Sequence, residues 1–166
     1  MSSNPGSPNP QLQRAQQMFN ALSMGRKIIL IAGVVGLIDS FLHWYTVSVS
    51  AGAYSASGSD SGWHGWAFIA VLLFIVSGAW ILLPMLGVQV KGILASLPPN
   101  FTESRVVMGV GVIALLCTIL FMITDGPSAT GLGVSAGPSI GAYIGVIVSI
   151  AIAAGGYLLQ SEPAAV

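Results

Sequence analysis

Long apolar runs separated by short polar stretches recur along the chain, and this pattern sets the first expectation. The runs cover about residues 28–45 (IILIAGVVGLIDSFLHWY), 65–86 (GWAFIAVLLFIVSGAWILLPML), 106–124 and 140–159. Crossing ~30 Å of hydrocarbon takes about 20 residues at 1.5 Å each, so each run has roughly the length of a transmembrane helix. Lipid offers backbone groups no partners, so each run must be helical, and short connections gather such helices side by side. The expected fold is an all-α membrane protein, a four-transmembrane-helix bundle occupying residues 26–160.

The stretches between the runs carry their own patterns. After Met1, residues 2–11 are Pro, Ser, Asn, Gly and Gln with nothing to bury, and residues 1–11 read as a disordered N-terminus. Over residues 12–25, Leu12, Ala15, Phe19 and Leu22 recur at helical spacing while Gln11, Gln13, Gln16 and Gln17 fall mostly off that face. This predicts an amphipathic helix on the membrane surface, with a frayed extension of the first span as the alternative. Between the second and third runs, Pro98-Pro99 forbids one continuous helix, and Thr102 is placed to cap the third. Residues 161–166 form a short polar tail.

From Thr46 to Tyr54, Val47, Val49, Ala51 and Ala53 alternate with small or polar residues, the period of an extended strand. Residues 131–136 repeat this weakly, and both stretches contain VSAG, at Val49-Ser50-Ala51-Gly52 and Val134-Ser135-Ala136-Gly137. The shared tetrapeptide suggests a helical hairpin occurring twice, its two outer loops pairing as a small extended or β cap; chance agreement of four small residues is the alternative.

Composition narrows the class. The 166 residues are 54% hydrophobic and 6% charged, with a mean hydropathy of +0.86. A soluble domain carries about 25% charged residues, so an ordinary globular enzyme is excluded, and zero net charge argues against a nucleic-acid binder with a basic face. Cys117 is the only cysteine, which rules out an intramolecular disulfide or a CxxC motif.

All five basic residues, Arg14, Arg26, Lys27, Lys91 and Arg105, precede the first run or lie between the second and third. The positive-inside rule then makes the chain a multi-pass plasma-membrane protein with both termini cytoplasmic and residues 46–64 and 125–139 outside. Arg26-Lys27 before IILIAGVVGLI also resembles a signal peptide, but about 27 polar residues come first and the run ends on the aromatic pair Trp44-Tyr45, which favours a retained span.

Candidate chemistry gathers on the outer side. Asp39 is the one acid within a run, and an ionisable group in the membrane is a functional hypothesis by default. His43 lies four residues on, one helical turn away, where its imidazole could bond the carboxylate. With His64 and Asp125, and with Asp60 nearby, these form a candidate polar outer site suited to metal coordination or proton relay; a merely structural polar cap is the alternative, since no HxxxH or HExxH spacing occurs. Gly141 and Gly145 form a GxxxG, a candidate helix-packing site. Trp44, Tyr45, Trp63, Trp66 and Tyr143 read as an outer aromatic belt. Only Ser77, Thr118 and Ser149 lie deep in the runs, and each can bond its own helix backbone. No phosphate loop, triad or catalytic carboxylate pair can be assembled, so neither an enzyme nor a cofactor is expected.

Phe41-Leu42-His43-Trp44-Tyr45, Gly62-Trp63 with Gly65-Trp66, and Gly131-Leu132-Gly133-Val134 with Gly137-Pro138-Ser139-Ile140-Gly141-Ala142-Tyr143 resemble a family of small four-span actinobacterial membrane proteins with a FLPWY-like motif and glycine-rich outer loops. The resemblance covers about residues 18–160, places His43 where proline is usual, and brings no activity with it. The expected function is a non-catalytic accessory or interaction subunit of a larger membrane complex, partnered by the bilayer and by other membrane proteins or a second copy, with no nucleic acid. A small transporter, channel or proton-linked protein is the alternative, and an intramembrane enzyme using Asp39 and His43 comes third.

Overall fold

The computed structural model describes residues 10–88, 101–124 and 133–162, with Gly92 and Pro98. Helix α1 (Pro10–Ala21) is followed by α2 (Met24–Asp39), strands β1 (His43–Ala51) and β2 (Tyr54–Ser61), and helix α3 (Gly65–Met85). Helix α4 (Glu103–Thr124), strand β3 (Val134–Pro138) and helix α5 (Ile140–Leu158) complete the described chain.

This order corrects the expected fold class in two respects. The protein is not all-α, because three strands form one antiparallel sheet in the order β2-β1-β3. Among the described residues three helices, not four, are long and apolar enough to cross a membrane: α3, α4 and α5. The first apolar run does not continue as helix to Tyr45. Helix α2 runs for 16 residues from Met24, with Arg26 and Lys27 in its first turn, to Asp39, ~24 Å of axis against ~30 Å of hydrocarbon. Ser40 to Leu42 turn the chain, with the Phe41 and Leu42 amides donating back to the Ile38 and Asp39 carbonyls.

The helices meet through small residues. Helix α2 lies against α3 and α5, and α4 lies against the same two. Gly33 faces Gly78 across the α2–α3 contact so closely that a Cβ on Gly33 would stand 2.5 Å from the Gly78 Cα. Gly111 meets the Ala153 backbone between α4 and α5, and Gly25 meets Gly155 between α2 and α5. Close backbone approach of this kind supplies dispersion contacts that larger side chains would hold apart. Ile29, Ala32, Val71, Phe74, Ala114, Phe121, Val148 and Ile152 fill the interior. Leu72, Val76, Ile113, Leu116, Ile147 and Ile150 point outward and exposed.

The deep hydroxyls close onto their own helices. Ser77 Oγ donates to the Leu73 carbonyl (2.7 Å), Thr118 Oγ1 to Ala114 (2.9 Å) and Ser149 Oγ to Gly145 (2.8 Å), each one turn back.

The sheet sits at one end of the helices. A two-residue loop, Gly52-Ala53, joins β1 to β2, and Gly52 takes a φ of 62° that other residues rarely adopt. Strand β1 pairs with β2 from Ala51↔Tyr54 down to Tyr45↔Asp60, then slips, so that His43 faces Ser61 and Trp44 faces no partner in the ladder. On its other edge β1 pairs with β3, with Val49↔Val134, Ser48↔Ser135 and Val47↔Ala136 in register. The Ser48 and Ser135 hydroxyls lie 2.7 Å apart, and the Ser50 amide donates to the Gly133 carbonyl (2.6 Å). The two VSAG stretches run antiparallel and meet at their valines. The connections differ, however: the first supplies a complete hairpin and the described part of the second a single strand, which departs from two equivalent repeats.

Candidate functional site

The junction between sheet and helices is built on Trp44. As the extra residue of the bulge, it is turned out of the ladder and into the helices, the usual consequence of inserting one residue into one strand of a pair. Its side chain is fully buried. Gly62, Gly141 and Gly145 form its seat: a Cβ on Gly141 would stand 2.5 Å from Trp44 Cδ1, and one on Gly145 2.7 Å from Cη2. Phe121 of α4 meets the indole edge-on at 5.7 Å between ring centres. The indole Nε1 donates to the Asp39 carbonyl (3.0 Å), and the Trp44 carbonyl accepts from Ser139 just ahead of α5 (2.9 Å). One side chain thereby ties α2, α4, α5 and the sheet together.

Two expectations change at this point. Trp44 and Tyr45 are interior residues, not members of an outer belt; Trp66 and Tyr143 are exposed and Trp63 half-buried. Gly141 and Gly145 have the Trp44 indole as their nearest side chain, so the GxxxG of α5 receives an aromatic ring in place of a facing helix backbone.

The polar candidates separate. Asp39 ends the buried stripe of α2 formed by Gly25, Ile29, Ala32 and Gly36, and is 1% exposed. Neither of its carboxyl oxygens has a hydrogen-bond partner. His43 is exposed at the start of β1, because the helix has already ended and a four-residue separation no longer spans one helical turn. The expected Asp39–His43 pair is therefore absent. His64 precedes α3 and faces Asp60 at 3.8 Å with both side chains about two-thirds exposed, a separation beyond a hydrogen bond. Asp125 lies outside the described residues. Among the described residues no three His, Cys, Asp or Glu side chains come together as metal ligands.

A second polar cluster, at the opposite end, was not anticipated. Arg26 Nη2 of α2 contacts Glu103 Oε2 of α4 at 3.0 Å, while Trp80 Nε1 of α3 donates to the other Glu103 oxygen at 3.3 Å. Glu162, after α5, accepts from the Gly25 amide (2.9 Å), filling the capping role that the Ser23 side chain leaves unmade at the start of α2. Lys27 donates to the Asn20 carbonyl (3.2 Å) and lies over the Phe19 ring. The legible signal was Glu103 itself, an acid in the first turn of a helix beside the basic end. Comparison with known protein families and with curated proteins finds no match for the chain.

Proposed function

We propose that this chain is a non-catalytic integral membrane protein that acts as an accessory or interaction subunit of a larger membrane assembly. The observation that carries the reading is the closure of Ser77, Thr118 and Ser149 onto their own helix carbonyls. A conducting path needs polar groups free to replace water around a solute, and apart from Asp39 at the end of α2 the interior helix faces offer apolar side chains, glycines and self-bonded hydroxyls instead. The outward apolar residues of α3, α4 and α5 suit a lipid or helix-packed surroundings, while strand β2 stands clear as an exposed element.

In this reading the basic end, with Arg26, Lys27 and Arg105, faces the cytoplasm of the plasma membrane, and the sheet faces outward. Both ends of the described chain lie at the basic end, since α1 meets Lys27 and Glu162 meets Gly25. The resemblance to small actinobacterial membrane proteins with a FLPWY-like motif fits the same reading, with the departure that His43 stands where proline is usual.

The test is solubilisation in mild detergent at native expression, followed by mass measurement of the intact complex. A stoichiometric assembly with another membrane protein is expected. A lone chain that conducts ions after reconstitution into vesicles would contradict the reading.

A further inference from the structure

Asp39 occupies a position in which a carboxylate has nothing to sustain its charge. It is 1% exposed, and both carboxyl oxygens lack a hydrogen-bond partner. The two helices packed on α2 offer no counter-charge: α3 contains no Asp, Glu, Lys, Arg or His, and the titratable side chains of α5 are Tyr143 and Tyr157. On α2 itself the other charges, Arg26 and Lys27, lie at the far end, about 20 Å down the axis, and Arg26 is engaged by Glu103. From the sheet side the titratable groups are His43 and Tyr45 of β1, Tyr54 and Asp60 of β2, and His64 ahead of α3; His43 and His64 are exposed, and none of these bonds the Asp39 carboxyl. Leaving an ionised carboxylate there forfeits its hydration with no compensating bond, whereas the neutral acid loses far less.

The chain that leaves Asp39 folds back onto its backbone carbonyl. The Leu42 amide (2.9 Å) and the Trp44 indole (3.0 Å) both donate to the Asp39 carbonyl, and the indole then fills the glycine seat of Gly62, Gly141 and Gly145. We propose that Asp39 is a proton-binding site, held as the neutral carboxylic acid and closed from solvent at the sheet end by Trp44, so that its proton exchanges when the indole leaves its seat. The ligand class is a single proton carried by water. This inference stands apart from the accessory-subunit reading, because a subunit of a larger assembly and a free-standing protein could each carry such a site.

The test uses the full chain in phosphatidylcholine vesicles. Dicyclohexylcarbodiimide, an apolar reagent, reacts with a neutral carboxylic acid: the acid proton moves to a carbodiimide nitrogen and the carboxylate oxygen bonds the central carbon. The resulting O-acylisourea rearranges to a stable N-acylurea with no atom lost. One adduct, mapped to Asp39 by peptide mass spectrometry and missing from Asp39→Asn, is expected. A water-soluble carbodiimide should label Asp39 slowly in the native chain and about tenfold faster in Trp44→Phe, which keeps a ring in the seat but removes the indole donor. Trp44→Ala should be faster still, and Trp44→Phe carries the test alone if the alanine variant does not fold. No apolar-reagent adduct at Asp39 in the folded protein, or a water-soluble rate that is unchanged in Trp44→Phe, overturns the proposal.

Discussion

At the residue scale, the structure turns on one indole and the glycines beneath it. A methyl group on Gly141 would collide with Trp44 and with the His43 carbonyl, one of them backbone that cannot rotate away. Gly141→Ala should therefore lose about 1–3 kcal/mol of stability, the usual cost of overpacking. Gly109, on α4, has open space where its Cβ would go, so Gly109→Ala should be neutral or gain up to about 1 kcal/mol from helix propensity. Melting curves in one detergent compare the two, and a Gly141→Ala variant as stable as Gly109→Ala would contradict the seat. Trp44→Ala should cost about 3–5 kcal/mol by the same measurement. Asp39 makes a prediction with a sign. If the folded chain holds the proton and the unfolded chain releases it to water, the unfolded state is favoured as pH rises above the ordinary carboxylate range. Native stability should then fall with pH, by at most about 1.4 kcal/mol per pH unit. The neutral amide of Asp39→Asn lacks this dependence, so melting temperatures taken from pH 5 to pH 8 should diverge in its favour; parallel curves would count against a buried proton.

At the element scale, the parts that can be read from sequence are those whose burial leaves a period. Helices α3, α4 and α5 begin and end within three residues of their apolar runs, and the alternation around Val47 and Val49 marks β1. Strand β2 leaves no such trace. Its sequence, YSASGSDS, is exposed almost throughout, so no face selects apolar residues, and the remaining cue is Gly52 in a two-residue turn. The end of α2 is hidden for the opposite reason: Phe41, Leu42 and Trp44 keep the run apolar after the helix has stopped, and Trp44 is apolar because a bulge buries it, not because it lies on a helix. The Asp39–His43 pairing failed with that boundary. Sheet register offers a direct check. With Cys117 replaced by Ala, Ser48→Cys with Ser135→Cys should cross-link within one chain under mild oxidation, since the two hydroxyls already touch at 2.7 Å. Ser48→Cys with Ser161→Cys, at opposite ends of the helices, should not. At the other end, Glu103→Gln removes a pairing in which both side chains are about a quarter to a third exposed, so its cost should stay near 0–1 kcal/mol and shrink with added salt. A cost of several kcal/mol, insensitive to salt, would mean that the pair is more deeply sequestered than its exposure indicates.

At the scale of the whole molecule, the chain has two chemically unlike ends joined by an apolar waist. One end carries Arg26, Lys27 and Arg105, with Glu103 paired to Arg26 and Glu162 accepting from the Gly25 amide; the other carries the sheet, His43, Asp60 and His64. Between them the outward side chains are mostly Leu, Val, Ile and Phe, and among the described residues three helices have the length to cross a bilayer. The placement we propose for such a molecule puts the waist in hydrocarbon and the basic end on the side where positive charge is retained. The measurement that tests this most directly is thiol labelling in intact cells with a membrane-impermeant maleimide, in a chain whose Cys117 has been replaced by Ala. Ser57→Cys, on the exposed strand β2, should be labelled, while Ala15→Cys, on the exposed face of α1 at the basic end, should be protected until the cells are permeabilised. Labelling of Ala15→Cys with protection of Ser57→Cys would invert the orientation, and equal protection of both sites would contradict a membrane-spanning waist.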